Sequence, residues 1–347
     1  MKKTIFRITT ALFIGFIFIG CQKEEFNPSI FDITETKLDP SSYTYGFDKF
    51  LQEEYSKPYN LTFDYQMKDV ASDMEYNLMP ASLENSKKLA VLVKYLWFDV
   101  YAKVVDPTFL KKYGPRMIHL IGSSAYNPIS GTIVLGTAEG GIKITLYRVN
   151  SINTNDPDMM NEYYFKTMHH EFAHILHQTK SYPAEFNLIS YKYYDPFAWQ
   201  DRQSKLDMNE PKSQAVAYSL GFVSAYGSSQ TREDFVEIIA NYIVKTDAQW
   251  NTMLDMASRG WEIDGSGNST YTSETYRLDT ISTNPLKVVK IIIDTDGVDG
   301  RATILNKLNI CRTWFRDKWN IDLDALRAEV QYRQARIDMV SLLSQIK

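Results

Sequence analysis

The stretch Thr167-Met168-His169-His170-Glu171-Phe172-Ala173-His174-Ile175-Leu176-His177 decides how the rest of the chain is read, because it holds four of the protein's five histidines. Upstream, Asp156-Pro157 offers a capping carboxylate and a proline for the first helical position. A helix is therefore expected from residue 157 to about 178. On a helix, His170 and His174 leave one face a turn apart. That spacing lets two ring nitrogens reach a single tetrahedral zinc ion at about 2.0–2.1 Å. Glu171 lies roughly 100° further round the axis. It can lean toward a water at the metal and act as general base without ligating the ion. Phe172, Ala173, Ile175 and Leu176 supply apolar faces that bury the helix and keep the site wall dry. His169 points to another face and reads as structural.

A catalytic zinc needs a third protein ligand and an open position. His177 is one candidate. At 1.5 Å of rise per residue it stands about 10 Å along the axis from His170. It also lacks the glycine turn that metzincins use to bring a third histidine round. A second candidate region is Thr231-Arg232-Glu233-Asp234-Phe235-Val236-Glu237. Thr231 with Asp234 three residues on reads as a capping box, opening a helix to about Lys245. Glu233 and Glu237 share a face of that helix. Taken alone, they equally fit an acidic first turn favoured by the helix dipole.

Resemblance to known families gives these acids roles. A His-Glu-x-x-His helix followed by a helix carrying Glu-x-x-x-acid resembles the gluzincins. The resemblance implies that Glu233 is the third ligand and that Glu237 orients the first histidine. Ser224-Ala225-Tyr226-Gly227, followed by the acidic helix, resembles the catalytic domain of anthrax lethal factor. That likeness implies that the Tyr226 hydroxyl faces the developing oxyanion. Without it, Tyr226 is one of 23 tyrosines, as suited to packing as to chemistry.

The N-terminus reads separately. Met1-Lys2-Lys3 is basic, residues 12–19 are apolar, and Gly20-Cys21 follows, so residues 1–20 are expected to be a signal peptide. Phe18-Ile19-Gly20-Cys21 resembles a bacterial lipobox, with Phe where Leu is usual. It implies a lipidated Cys21 and anchoring at the outer membrane. Gln22-Lys23-Glu24-Glu25 resembles the surface-export tag of Bacteroidetes lipoproteins, which implies a cell-surface position. Cys311 is the second cysteine. With Cys21 lipidated no internal disulfide is possible, and Cys311 reads as a small buried hydrophobe.

Between these landmarks, residues 21–45 are polar and proline-containing and read as a tether. Residues 46–260 are expected to form the catalytic domain. Within it, helical periodicity runs through 87–104, and short strands are expected at 117–121, 133–135 and 142–149. The last of these strands is expected to be the sheet edge along which an extended peptide lies. Residues 261–347 are expected to be a loop and helical extension packed on that domain. The fold class is thus α+β, zincin-like, with a small mixed sheet on the active-site helix and a mainly helical C-terminal part. Asp294-Thr295-Asp296-Gly297-Val298-Asp299-Gly300 resembles a calcium loop, but its glycine is out of register and Leu305 replaces the closing acid, so it reads as a turn. The net charge of -4 excludes a general nucleic-acid binder, which would carry a basic excess.

Taken together, the lipobox, the histidine run, Gly221-Phe222-Val223-Ser224-Ala225-Tyr226, the Glu233–Glu237 segment and the tail through Ile321-Asp322-Leu323 to Arg327 resemble one family. These are the zinc-binding metallopeptidase lipoproteins of Bacteroidetes, also described as substrate-import-associated zinc metallohydrolases. The likeness covers most of the chain after the tether. It implies one zinc ion per chain, a peptide or protein substrate, and a TonB-dependent importer with its surface lipoprotein as partners. Two rival readings are a zinc hydrolase of glycoproteins or another amide-bearing polymer, and a non-catalytic surface binder on the same scaffold. The intact Glu171 argues against the binder, which has no need of a base.

Overall fold

The computed structural model describes residues 38–67, 77–126, 133–134, 136–139, 143–202, 214–263, 269–274 and 297–347. The expected signal peptide, Cys21, the tether as far as residue 37, Ile142 and residues 294–296 lie outside them. The chain divides into the units Met1–Tyr45 and Gly46–Lys347. All that follows concerns the second. Among the described residues no helix is long and apolar enough to cross a membrane.

Four strands build the main sheet: β1 (Thr62–Asp64), β2 (Met117–Leu120), β3 (Gly136–Glu139) and β4 (Lys143–Leu146), in the order β1-β2-β4-β3. The first three positions run parallel, and β3 pairs antiparallel with β4. Ile118 lies opposite Ile144 and Leu120 opposite Leu146, all four fully buried. His119 on the other face of β2 is buried as well, so this central strand is covered on both sides. The stretch 142–149 is not the sheet edge that the sequence suggested. Its strand, β4, is paired on both sides, and the outer strand there is β3.

Helices supply most of the remaining structure. α1 (Leu83–Val93) starts at Ser82, whose hydroxyl accepts the Asn85 N–H. It passes through a π-turn, Lys94–Phe98, into α2 (Asp99–Val104). The histidine-bearing segment begins as expected. The Asp156 carboxylate accepts the Met159 N–H at 2.9 Å and Pro157 opens the helix. A π-turn, Asn161–Phe165, leads into α3 (Lys166–Thr179). The apolar side of α3 is clamped by aromatics: the Phe172 ring stands edge-on to Trp97 and to Tyr101, each at 5.2 Å. Burying a side chain of this size contributes about 1.5–3 kcal/mol.

α4 (Thr231–Val244) is buried from Glu233 to its end and lies against α3. Its start differs from the expected capping box. Gln230 is the N-cap, and Thr231 is already helical. The Asp234 carboxylate is instead taken by Lys307 and Tyr194, so it does not serve the cap. A true capping box opens the next helix, α5 (Asp247–Ala257), between Thr246 and Gln249. Two C-terminal helices, α6 (Gly300–Trp314) and α7 (Leu323–Gln334), pack on α4. Each starts on an aspartate cap, Asp299 and Asp322. Cys311 is buried on α6, as its apolar neighbours suggested.

Candidate metal centre

Packing of α3 on α4 brings the two histidines to the acidic first turns of α4. His170 Nε2 lies 3.2 Å, and His174 Nε2 3.1 Å, from one and the same oxygen, Oε2 of Glu233. The three side chains offer one ligand atom each, all within 4.8 Å of one another. Ligands on one tetrahedral zinc with 2.0–2.1 Å bonds stand roughly 3.3 Å apart. Two imidazoles and a carboxylate at this spacing fit the ion, in donor chemistry and in distance.

The other nitrogen of each ring is also engaged. His170 Nδ1 is 2.8 Å from Glu237 Oε1. The second Glu237 oxygen accepts the Ser224 hydroxyl at 2.5 Å and the Asn241 amide at 3.2 Å. His174 Nδ1 is 2.9 Å from His177 Nε2.

These contacts shift the ionisation of the cluster. Burial alone would lower the His170 pKa, but the hydrogen bonds to Glu233 and Glu237 outweigh it and raise it to about 10. Burial would raise the carboxylates. Against it, His170 and His174 hold Glu233 well below the usual range, and His170 holds Glu237 down to about 2. A metal ion bound at this place would displace the proton on His170 Nε2, since both compete for the same nitrogen.

Glu171 is buried beside the group. Burial pushes its carboxyl pKa up. The two histidines oppose this shift, and Glu233 and Glu237 add to it. A raised carboxyl is suited to accepting a proton and returning it. Tyr226 sits in the 3₁₀ turn Tyr226–Ser229, with its ring 5.9 Å from that of His170 and 5.2 Å from Trp199. It is 39% exposed, whereas His170, Glu171 and Glu233 beside it are buried. Burial of the hydroxyl and the carboxylates of Glu233, Glu237 and Glu171 push its pKa up and keep it a protonated donor.

A family model described as "Putative zinc-binding metallo-peptidase" matches residues 41–324. The chain belongs to this family. The zinc-binding metallo-peptidase family is also reflected in a solved structure, described as the crystal structure of a putative zinc-binding metallo-peptidase from Bacteroides caccae ATCC 43185. It is 35% identical, with a TM-score of 0.61, and the match covers 85% of this chain and 94% of that one. No curated protein matches the chain.

Within this family member, the remaining histidines have distinct places. His177 is not part of the three-residue group; it stands behind His174, against the nitrogen facing away from Glu233. Burial and the neighbouring His174 hold its pKa down to about 4. His169 is buried with Nδ1 3.2 Å from the Tyr101 hydroxyl, and burial lowers its pKa to about 3.

Several supporting residues escape a reading of the sequence. Asn241 follows Glu237 by one turn, a spacing visible in the sequence but shared by many harmless pairs. Lys307 on α6 carries no such signal. Its Nζ lies 2.6 Å from Asp234 Oδ2 and donates to the Gly221 carbonyl at 2.9 Å, and both side chains of the ion pair are fully buried. Tyr194 donates to the same Asp234 oxygen at 2.7 Å. Gly221 has φ +84°, and a Cβ there would meet Thr303 Cγ2 at 2.4 Å, so only glycine fits this turn against α6. Through these contacts α6 holds both the residue next to Glu233 and the segment leading to Tyr226.

Proposed function

We propose that this chain is a zinc-dependent peptidase of zincin-like fold that hydrolyses peptide bonds with one zinc ion per chain. The observation that carries this reading is the convergence of His170 Nε2 and His174 Nε2 on a single Glu233 oxygen, with the buried Glu171 alongside. Bound zinc supplies Lewis acidity, polarising the scissile carbonyl and making a neighbouring water more acidic. His170, His174 and Glu233 hold the ion. Glu171 takes the proton of the attacking water and hands it to the leaving nitrogen. Tyr226, a protonated and partly exposed donor, gives a hydrogen bond to the oxyanion as charge develops there. Glu237 keeps the His170 ring in place through its Nδ1.

An extended peptide is expected to add along β3, the outer strand, which lies against α3. The sequence features at Gly20-Cys21 and Lys23-Glu24-Glu25 support a lipid on Cys21 and a position on the outer face of the outer membrane. A TonB-dependent importer and its surface lipoprotein are the partners such a placement suggests.

The test is Glu171→Gln, assayed on a diverse peptide library with and without chelator. The wild-type chain is expected to cleave in a chelator-sensitive manner. The variant should keep its zinc and lose about 10²–10⁴-fold in rate. Undiminished hydrolysis by the zinc-loaded variant would overturn the mechanism.

A further inference from the structure

We propose that His177 is a positioning residue for the metal centre: its Nε2 accepts the hydrogen on His174 Nδ1 and thereby fixes the tautomer and the tilt of the His174 ring. The proposal rests on the reading that His170, His174 and Glu233 hold zinc.

A neutral imidazole has one N–H and one lone pair. His174 Nε2 faces Glu233, so its lone pair is the one offered to the ion and its hydrogen belongs on Nδ1. That hydrogen points at His177 Nε2, 2.9 Å away. His177 must therefore present a lone pair at Nε2 and carry its own hydrogen on Nδ1. Three residues along the helix is the spacing that puts the two rings on one face.

The acceptor is itself held in place. The His177 ring stands edge-on to Tyr182 at 5.5 Å and to Phe235 at 6.4 Å, and Tyr182 stacks on Phe235 at 4.4 Å. Phe235 lies two residues past Glu233 on α4, and its ring packs edge-on to Trp314 at 5.2 Å. The aromatic group that fixes His177 thus belongs to the helix that carries the third ligand. An imidazole in this role is a neutral acceptor, where the matching position behind His170 holds a carboxylate.

Two variants separate this role from simple packing. His177→Phe keeps a ring among Tyr182 and Phe235 but removes the acceptor. His177→Gln removes the ring but places an amide oxygen close to where Nε2 stood. Zinc release from the full-length loaded protein to excess chelator is timed for both, with circular dichroism as the check on folding. The d–d spectrum of the cobalt(II)-substituted protein is recorded alongside. Expected for His177→Phe are release about 10–100-fold faster and a changed cobalt spectrum. Expected for His177→Gln are release within a few-fold of wild type and an unchanged spectrum. Wild-type release from a folded His177→Phe overturns the proposal, and so does equally fast release from both variants, which would make ring packing the cause. Loss of stoichiometric zinc in both overturns it in favour of direct ligation. A wild-type chain that binds no zinc overturns the reading of the whole site, and this proposal with it.

Discussion

The two histidines of α3 offer the same nitrogen to the same Glu233 oxygen, yet they are backed by different chemistry. Behind His170 stands Glu237, a carboxylate on α4 that also receives Ser224 and Asn241. Behind His174 stands His177, a neutral ring on the same helix, steadied by Tyr182 and Phe235. The first support is charged and comes from a distant part of the chain. The second is neutral and local. One ring is thus made more basic as well as oriented, while the other is oriented alone. Two identical side chains on one helix thus need not bind a metal equally, because each takes on the character of the group behind it.

The charged side depends on α4 being held at its start, and this is where the largest effect is expected. Lys307→Met would leave Asp234 buried without its cation, next to Glu233. Removing one member of a buried pair costs about 3–5 kcal/mol. Urea unfolding of the full chain should show a loss of this size, and a loss under 1 kcal/mol would detach α6 from the support of the site. A smaller effect is expected at the supports of the two rings. Glu237→Leu removes the acceptor behind His170, as His177→Phe does behind His174. Its bond is charge-assisted, so zinc affinity should fall toward the upper end of a roughly 10–100-fold range and further than in His177→Phe. Competition with a fluorescent chelator measures both. Equal losses would mean that the charge on Glu237 contributes nothing.

What the sequence made legible follows the reach of local rules. The α3 helix, its Asp156-Pro157 start and the convergence of His170 and His174 follow from periodicity and capping within one segment. Glu233 and Glu237 were a spacing without a meaning until resemblance gave them one, and the structure places both against α3. The sheet edge is not legible in 142–149, because strand order is decided by pairing between distant segments and nothing there announces that β3 folds back on it. The capping box expected at Thr231 is absent for a similar reason. Asp234 has the right spacing for it, but a lysine on α6 claims the carboxylate. His177 was visible from the start as a neighbour of His174. Only the direction of its ring shows that it stands behind His174, on the side away from Glu233.

One zinc ion is expected where the two Nε2 atoms and the Glu233 carboxylate meet. Anomalous X-ray scattering at the zinc edge, from crystals of the zinc-loaded protein, reads the position of that ion. Expected is one strong peak per chain, bonded to His170, His174 and Glu233 at about 2.0–2.2 Å, with His177 outside bonding distance. No peak there, or a peak bonded to His177 in place of Glu233, would contradict it.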